Sequence, residues 1–176
     1  MKKLLLVTII ASLFLAGCAA RVKQGGSETL MIHESAKNNL VVTFVGSRQV
    51  NANADWYLLK GTWSKALSAD ATAAGYSSVF LDGTPRPQSR NGVMVIIHVS
   101  NFRYLDWKSR FWASFMTGNA WVNARVDFRD LRTGQALGSR TYDASSRGWQ
   151  MWFSAMTDKQ LRKISRLMIA DIKAAR

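Results

Sequence analysis

Side chains able to serve as nucleophiles, metal ligands or redox centres are scarce in this 176-residue chain. It holds one cysteine, Cys18, and two histidines, His33 and His98, with no acidic or thiol neighbours at metal-ligand spacing. No Gly-x-Ser-x-Gly elbow marks a serine nucleophile, and no glycine-rich loop is built to cradle phosphate. His98 continues an apolar run and reads as a satisfied strand residue rather than a base. Asp127 and Asp130 are the one acid–base pair worth weighing, but Asp130 opens Leu131-Arg132-Thr133-Gly134, where an aspartate ordinarily makes a turn. The chain is therefore expected to be noncatalytic, with no metal and no cofactor. An enzyme would need distant residues to converge.

What the sequence offers instead is aromatic and basic. Trp107, Phe111, Trp112, Phe115 and Trp121 form one cluster and Trp149, Trp152 and Phe153 a second, interleaved with Arg103, Lys108, Arg110, Arg125 and Arg147. Trp and Arg are enriched where binding energy concentrates, because they combine large apolar contact with a polar handle. The candidate interaction surface is Trp107, Arg110, Phe111, Trp112, Phe115, Trp121, Arg125, Trp149 and Trp152, with Phe111 to Met116 as the preferred exposed patch. Core packing accounts equally well for part of the set, Trp112 and Phe115 above all, since a domain needs bulky residues inside. The same rings would also suit sugar faces or a lipid headgroup region.

The first residues supply an address. Lys2 and Lys3 precede an apolar run, Leu4 to Ile10 continuing through Leu13 to Leu15, that ends in small residues: the layout of a secretory signal. The run is shorter than the roughly 20 apolar residues that a spanning helix requires. Leu15-Ala16-Gly17-Cys18 resembles the lipobox of bacterial lipoproteins, which implies cleavage before Cys18 and acylation of its thiol and new amine. Acyl chains anchor stably because each buried CH₂ contributes about 0.8 kcal/mol. Residues 1–17 are then a removed signal, and the only thiol is consumed, so the mature domain has no internal disulfide. Losing Lys2 and Lys3 lowers the formal charge from +13 to +11. An exported basic protein meets anionic lipid, lipopolysaccharide, peptidoglycan and acidic proteins rather than nucleic acid.

These residues need elements to position them. Residues 18–39, with Gly25-Gly26-Ser27 at their centre, read as a lipidated anchor and flexible tether with at most one short strand near Thr29 to Ile32. A single α+β domain is expected from residue 40 to 176, with a mixed sheet of about five strands and two main helices. Leu40 to Phe44 begins a β-rich run that ends in Asn51-Ala52-Asn53-Ala54. A helix capped by Asp55 or Asn53 follows, with Trp56, Leu59, Trp63 and Leu67 on one face, Gly61 as a weak point and Gly75 as the stop. Tyr76 to Leu81 reads as a strand, parallel to the first if both share a sheet. Val93 to Val99 is apolar on both faces, as a central strand should be. Ala120 to Phe128 alternates apolar and polar residues, so one side of that part of the sheet is wet, and Gln135 to Tyr142 returns antiparallel to it. The last helix has an apolar stripe, Leu161, Ile164, Leu167, Met168 and Ile172, and capping-box spacing at Thr157 and Gln160. Its basic face, Lys159, Arg162, Lys163 and Arg166, suits either solvent or an anionic surface.

The lipobox, this order of elements and the stretch Ser109-Arg110-Phe111 through Gly118-Asn119-Ala120 into Val122-Asn123-Ala124-Arg125-Val126-Asp127-Phe128-Arg129-Asp130 and Thr133-Gly134-Gln135-Ala136-Leu137 resemble an uncharacterised family of Gram-negative envelope lipoproteins. That family is assigned only to a domain of unknown function. The resemblance implies a periplasmic α+β domain similar to those of secretion-system and wall-synthesis activator lipoproteins, whose roles are recognition and assembly. Family members are more glycine-rich where this chain has Phe111-Trp112-Ala113-Ser114-Phe115-Met116. In proteins of this resemblance aspartate after the cysteine retains them at the inner membrane, and Ala19 stands there instead. The expectation is a noncatalytic recognition or assembly lipoprotein on the periplasmic face of the outer membrane. Its partner would be an envelope protein, peptidoglycan or anionic lipid, with self-association as a further mode. The alternatives are an envelope enzyme acting on wall glycan or lipid, and a direct binder of anionic lipid or lipopolysaccharide.

Overall fold

The densest run of apolar β-formers in the chain, Val93 to Val99, lies inside a long internal strand, and the other elements are arranged around it. In the computed structural model the described residues are 21–26, 29–83, 86–104, 120–145 and 156–176. They form six strands: β1 (Arg21–Gly25), β2 (Asn39–Gly46), β3 (Ser77–Leu81), β4 (Val93–Arg103), β5 (Trp121–Asp130) and β6 (Ala136–Ser145). The helices are α1 (Arg48–Asn51), α2 (Trp56–Ala73) and α3 (Met156–Ala174), with a 3-10 turn over Glu34–Ala36. One mixed sheet has the order β1-β6-β5-β4-β2-β3. β2 is parallel to β3 and β4, and the remaining pairs are antiparallel. The α+β class, the parallel β2–β3 unit, the β5–β6 hairpin and the terminal helix all match the sequence reading.

Both long helices cover one face of the sheet. Leu59, Trp63, Leu67 and Ala71 of α2, and Leu161, Ile164, Met168 and Ile172 of α3, share a core with Leu40, Val42, Val95, Ile97, Val126 and Phe128. Phe44 packs against Trp56, Trp63 and Phe80 with ring centroids 5.6 to 6.4 Å apart, so a strand residue joins the start of α2 to β3. Gly75, at φ +82°, ends α2 where a side chain would be strained. Gly134, at φ +75°, does the same in the β5–β6 turn.

Four expectations are corrected. The segment before residue 40 is no tether from Arg21 onward: β1 pairs along its length with β6, Leu30 and Ile32 are buried, and the sheet gains a sixth strand. Val22 is the one large apolar residue in Arg21–Gly25, and a five-residue edge strand has almost no periodic signal. The first β run stops at Gly46, where Ser47 accepts from Val50 N and starts α1. Asp55 occupies the N-cap of α2 without a side-chain cap bond, and Asn53 Oδ1 instead accepts from Asp55 N at 2.8 Å. Gln160 does not reach back to a cap: its Nε2 donates to Ala120 O at 3.0 Å, tying α3 to the start of β5.

The residues before β2 also close onto the C-terminus. Lys37 is buried and donates through Nζ to Lys173 O at 3.2 Å and Ala175 O at 2.8 Å. A cation there satisfies carbonyls that the end of a helix leaves unpaired and opposes the dipole. Among the described residues no helix is long and apolar enough to cross a membrane.

Candidate functional site

Among the described residues both long helices lie on one side of the sheet, and no described helix covers the other. Alternation along each strand decides what it shows. β5 sends Val122, Ala124, Val126 and Phe128 into the core and Trp121, Asn123, Arg125, Asp127 and Arg129 outward. Directly paired residues of neighbouring strands share a face. Cross-strand register therefore adds Arg21 and Lys23 of β1, Asp143 of β6, and His98 and Arg103 of β4. Over β1, β6 and β5 these residues are exposed or half-buried and carry more cations than anions, whereas on β2 and β4 the same face buries Val41, Thr43, Met94 and Ile96.

At its centre lies a three-residue contact. Asp127 Oδ2 is 3.2 Å from His98 Nε2, and Asp127 Oδ1 accepts from Arg125 Nε at 2.9 Å. The Asp127 side chain is 20 % exposed, against 62 % for Arg125 and 41 % for His98, so solvent screens the pair. His98 is thus a strand residue with a side-chain partner, as the sequence reading had it. Its partner comes from the next strand, at a register that sequence separation does not reveal. Asp130 does not join Asp127: its Oδ1 accepts from Arg132 N, Thr133 N and Thr133 Oγ1 within the turn. The Thr133 backbone bond, then the Thr133 hydroxyl, hold its carboxyl below the usual range. An imidazole oriented by a carboxylate is half of a general-base arrangement, yet among the described residues no serine, threonine or cysteine is hydrogen-bonded to it.

Beside His98 the face sinks into a hollow of about 600 Å³, lined by Val45, Pro87, Met94, Ile96, His98 and Arg129 among others. Met94 and Ile96 of its lining belong to a small second core with Val41 and Leu131. The chain from β3 to β4 closes one side, where Thr43 Oγ1 donates to Gly83 O and Gln88 N to Leu131 O. The arrangement offers an apolar surface with the Arg129 guanidinium in its lining, which suits an amphiphilic or acidic ligand. Among the described residues no three His, Cys, Asp or Glu side chains gather closely enough to hold a metal ion.

The candidates from sequence divide sharply. Trp121 and Arg125 both stand on the open face. Trp121 is half-buried, with the Arg103 guanidinium 5.5 Å from its ring centroid, a cation–π stack. Cys18, Trp107, Arg110, Phe111, Trp112, Phe115, Trp149 and Trp152 lie outside the described residues. On α3, Lys159, Arg162 and Arg166 are exposed and Lys163 is half-buried. Arg166 Nε is 3.7 Å from Asp70 Oδ1 of α2, so that basic face partly bridges the two helices. Sequence reasoning missed the hollow, because Val45, Met94 and Ile96 come from runs with apolar residues on both alternating faces.

No family model and no curated relative matches the sequence. Solved structures do resemble the fold. The PelC dodecamer from Paraburkholderia phytofirmans is 13 % identical over 89 % of this chain and 99 % of that one, with a TM-score of 0.52. A DUF330 protein from Xanthomonas campestris is 10 % identical over 82 % and 90 %, at 0.49. Lipoprotein GNA1162 from Neisseria meningitidis is 11 % identical over 74 % and 96 %, at 0.41. At these identities the likeness is one of fold.

Proposed function

We propose that the chain is a noncatalytic envelope lipoprotein, acylated at Cys18 and held on the periplasmic face of the outer membrane, that recognises another envelope component through the open face of its sheet. One observation carries the reading: a sheet face that no helix covers among the described residues, with an apolar hollow lined by His98 and Arg129 and Arg125 paired beside His98. An apolar floor beside the Arg129 guanidinium suits recognition, and among the described residues no hydroxyl or thiol is hydrogen-bonded to His98 of the Asp127–His98 pair. Self-association is part of the proposal. The PelC fold neighbour is a dodecamer, and β3 is a sheet edge with Val79 and Leu81 exposed, the kind of edge that pairs with another copy.

The test is site-specific photocrosslinking in intact cells, with the reactive group at Arg125 or Arg129 on the open face and at Arg162 on α3. Discrete adducts from the first two positions, absent at Arg162 and lost on Val45→Lys, are expected. Equal patterns at all three positions would defeat the reading. Mass measurement of the mature N-terminus checks the acylation.

A further inference from the structure

Only Ala19 and Ala20 separate Cys18 from the first residue of the sheet, Arg21. Three Cα–Cα steps reach at most about 11 Å. An acylated cysteine lies at the bilayer surface, whose field extends roughly 8–10 Å at moderate salt. β1 is hydrogen-bonded to β6 along its length, so wherever Arg21 is held the whole sheet follows.

Register shows which residues share that position. Arg21 pairs with Ser145, Ser145 with Trp121, and Trp121 with Arg103, one row across four strands at one end of the sheet. Arg21 is exposed, Lys23 is exposed one row further along, and Arg103 stacks on Trp121. Arginines around a half-buried tryptophan match an anionic headgroup layer in charge and in polarity. The opposite end of β5, at the turn before Gly134, is about 30 Å away along the strand.

We infer that the sheet end bearing Arg21, Lys23, Trp121 and Arg103 rests on the anionic phospholipid surface in which Cys18 is anchored, so that the domain stands on the membrane rather than hanging from a tether. The inference rests on the acylation reading above, and it differs from one in which the α3 face, Lys159, Arg162 and Arg166, meets the lipid.

Because every described strand begins at or after Arg21, the chain from residue 18 with Cys18→Ala keeps all residues of the described sheet and separates surface binding from acylation. Its binding to vesicles of phosphatidylcholine, with and without phosphatidylglycerol, is the measurement. Each Lys or Arg at such a surface raises partitioning about fivefold. Preference for the phosphatidylglycerol vesicles is expected, with a loss of about a hundredfold in Arg21→Gln/Lys23→Gln/Arg103→Gln and much less in Lys159→Gln/Arg162→Gln/Arg166→Gln. Arg21→Gln/Lys23→Gln alone, at exposed positions, should lose about twenty-fivefold and guards against misfolding of the triple variant. Equal losses in the two triple variants, a larger loss in the helix variant, or no preference for phosphatidylglycerol overturns the inference. Mass measurement of the full chain from cells reports acylation separately: an unmodified Cys18 with sheet-end binding intact overturns the anchor and leaves the surface standing.

Discussion

Lys37 Nζ donates to the carbonyl of Ala175 at 2.8 Å, joining two positions 138 residues apart at the C-terminal end of α3. The same ammonium reaches Glu34 Oε2 at 2.6 Å, but Glu34 is 84 % exposed, so the buried carbonyls of Lys173 and Ala175 are the partners that matter. Lys37→Met keeps much of the side-chain volume and leaves those carbonyls unpaired, for a loss of about 1–3 kcal/mol. Urea unfolding of the variant against the parent measures it. An unchanged midpoint would mean the contact contributes nothing.

A second tie links β6, α3 and β1. Tyr142 Oη donates to Asp171 Oδ2 at 2.5 Å, and Gln24 Nε2 donates to both Asp171 oxygens at 2.6 and 2.8 Å. Burial, then the bond to Asp171, drives the phenol far above its ordinary value near 10. A group whose folded pKa is raised supports the fold fully below its unfolded pKa, and that support fades as pH climbs past it. The parent protein should therefore lose stability above about pH 10, and Tyr142→Phe should flatten that alkaline loss while costing about 1–2 kcal/mol at neutral pH. Thermal unfolding at pH 7 and pH 10.5, roughly half a unit above the free phenol value, reads both effects.

On α2, Gly61 is exposed, and a Cβ added there would meet nothing within 4 Å. Gly61→Ala should stabilise the protein by about 0.8–1.0 kcal/mol, because alanine loses less backbone entropy in a helix. A higher midpoint in chemical unfolding is the expected result, and a lower one would place an unseen contact at this position.

The β3 edge gives a prediction on assembly. Val79 and Leu81 are 42 % and 38 % exposed on the outer strand of the sheet. Val79→Lys with Leu81→Lys puts like charges opposite one another in an edge-to-edge pair and should weaken self-association by more than about tenfold without unfolding the domain. Sedimentation velocity across a concentration series checks it. A parent chain that stays monomeric at every concentration removes self-association from the proposed function.

Elements with strong periodic or punctuated signals were legible in the residues alone. The apolar stripe of α3, the face of α2 from Leu59 to Ala71, the central run of β4 and the alternation of β5 are all local patterns, because burial on one face dictates residue type at fixed spacing. The same alternation disclosed that Trp121 and Arg125 share a wet face, and Gly75 and Gly134 marked turns whose backbone only glycine adopts easily. Tertiary structure decided the rest. β1 became a strand because β6 offered an open edge, and Lys37 is buried because the end of α3 presents unpaired carbonyls to it. His98 meets Asp127, and Arg21 shares a row with Trp121 and Arg103, through strand register alone. Register depends on how all six strands align at once, and no single segment encodes it.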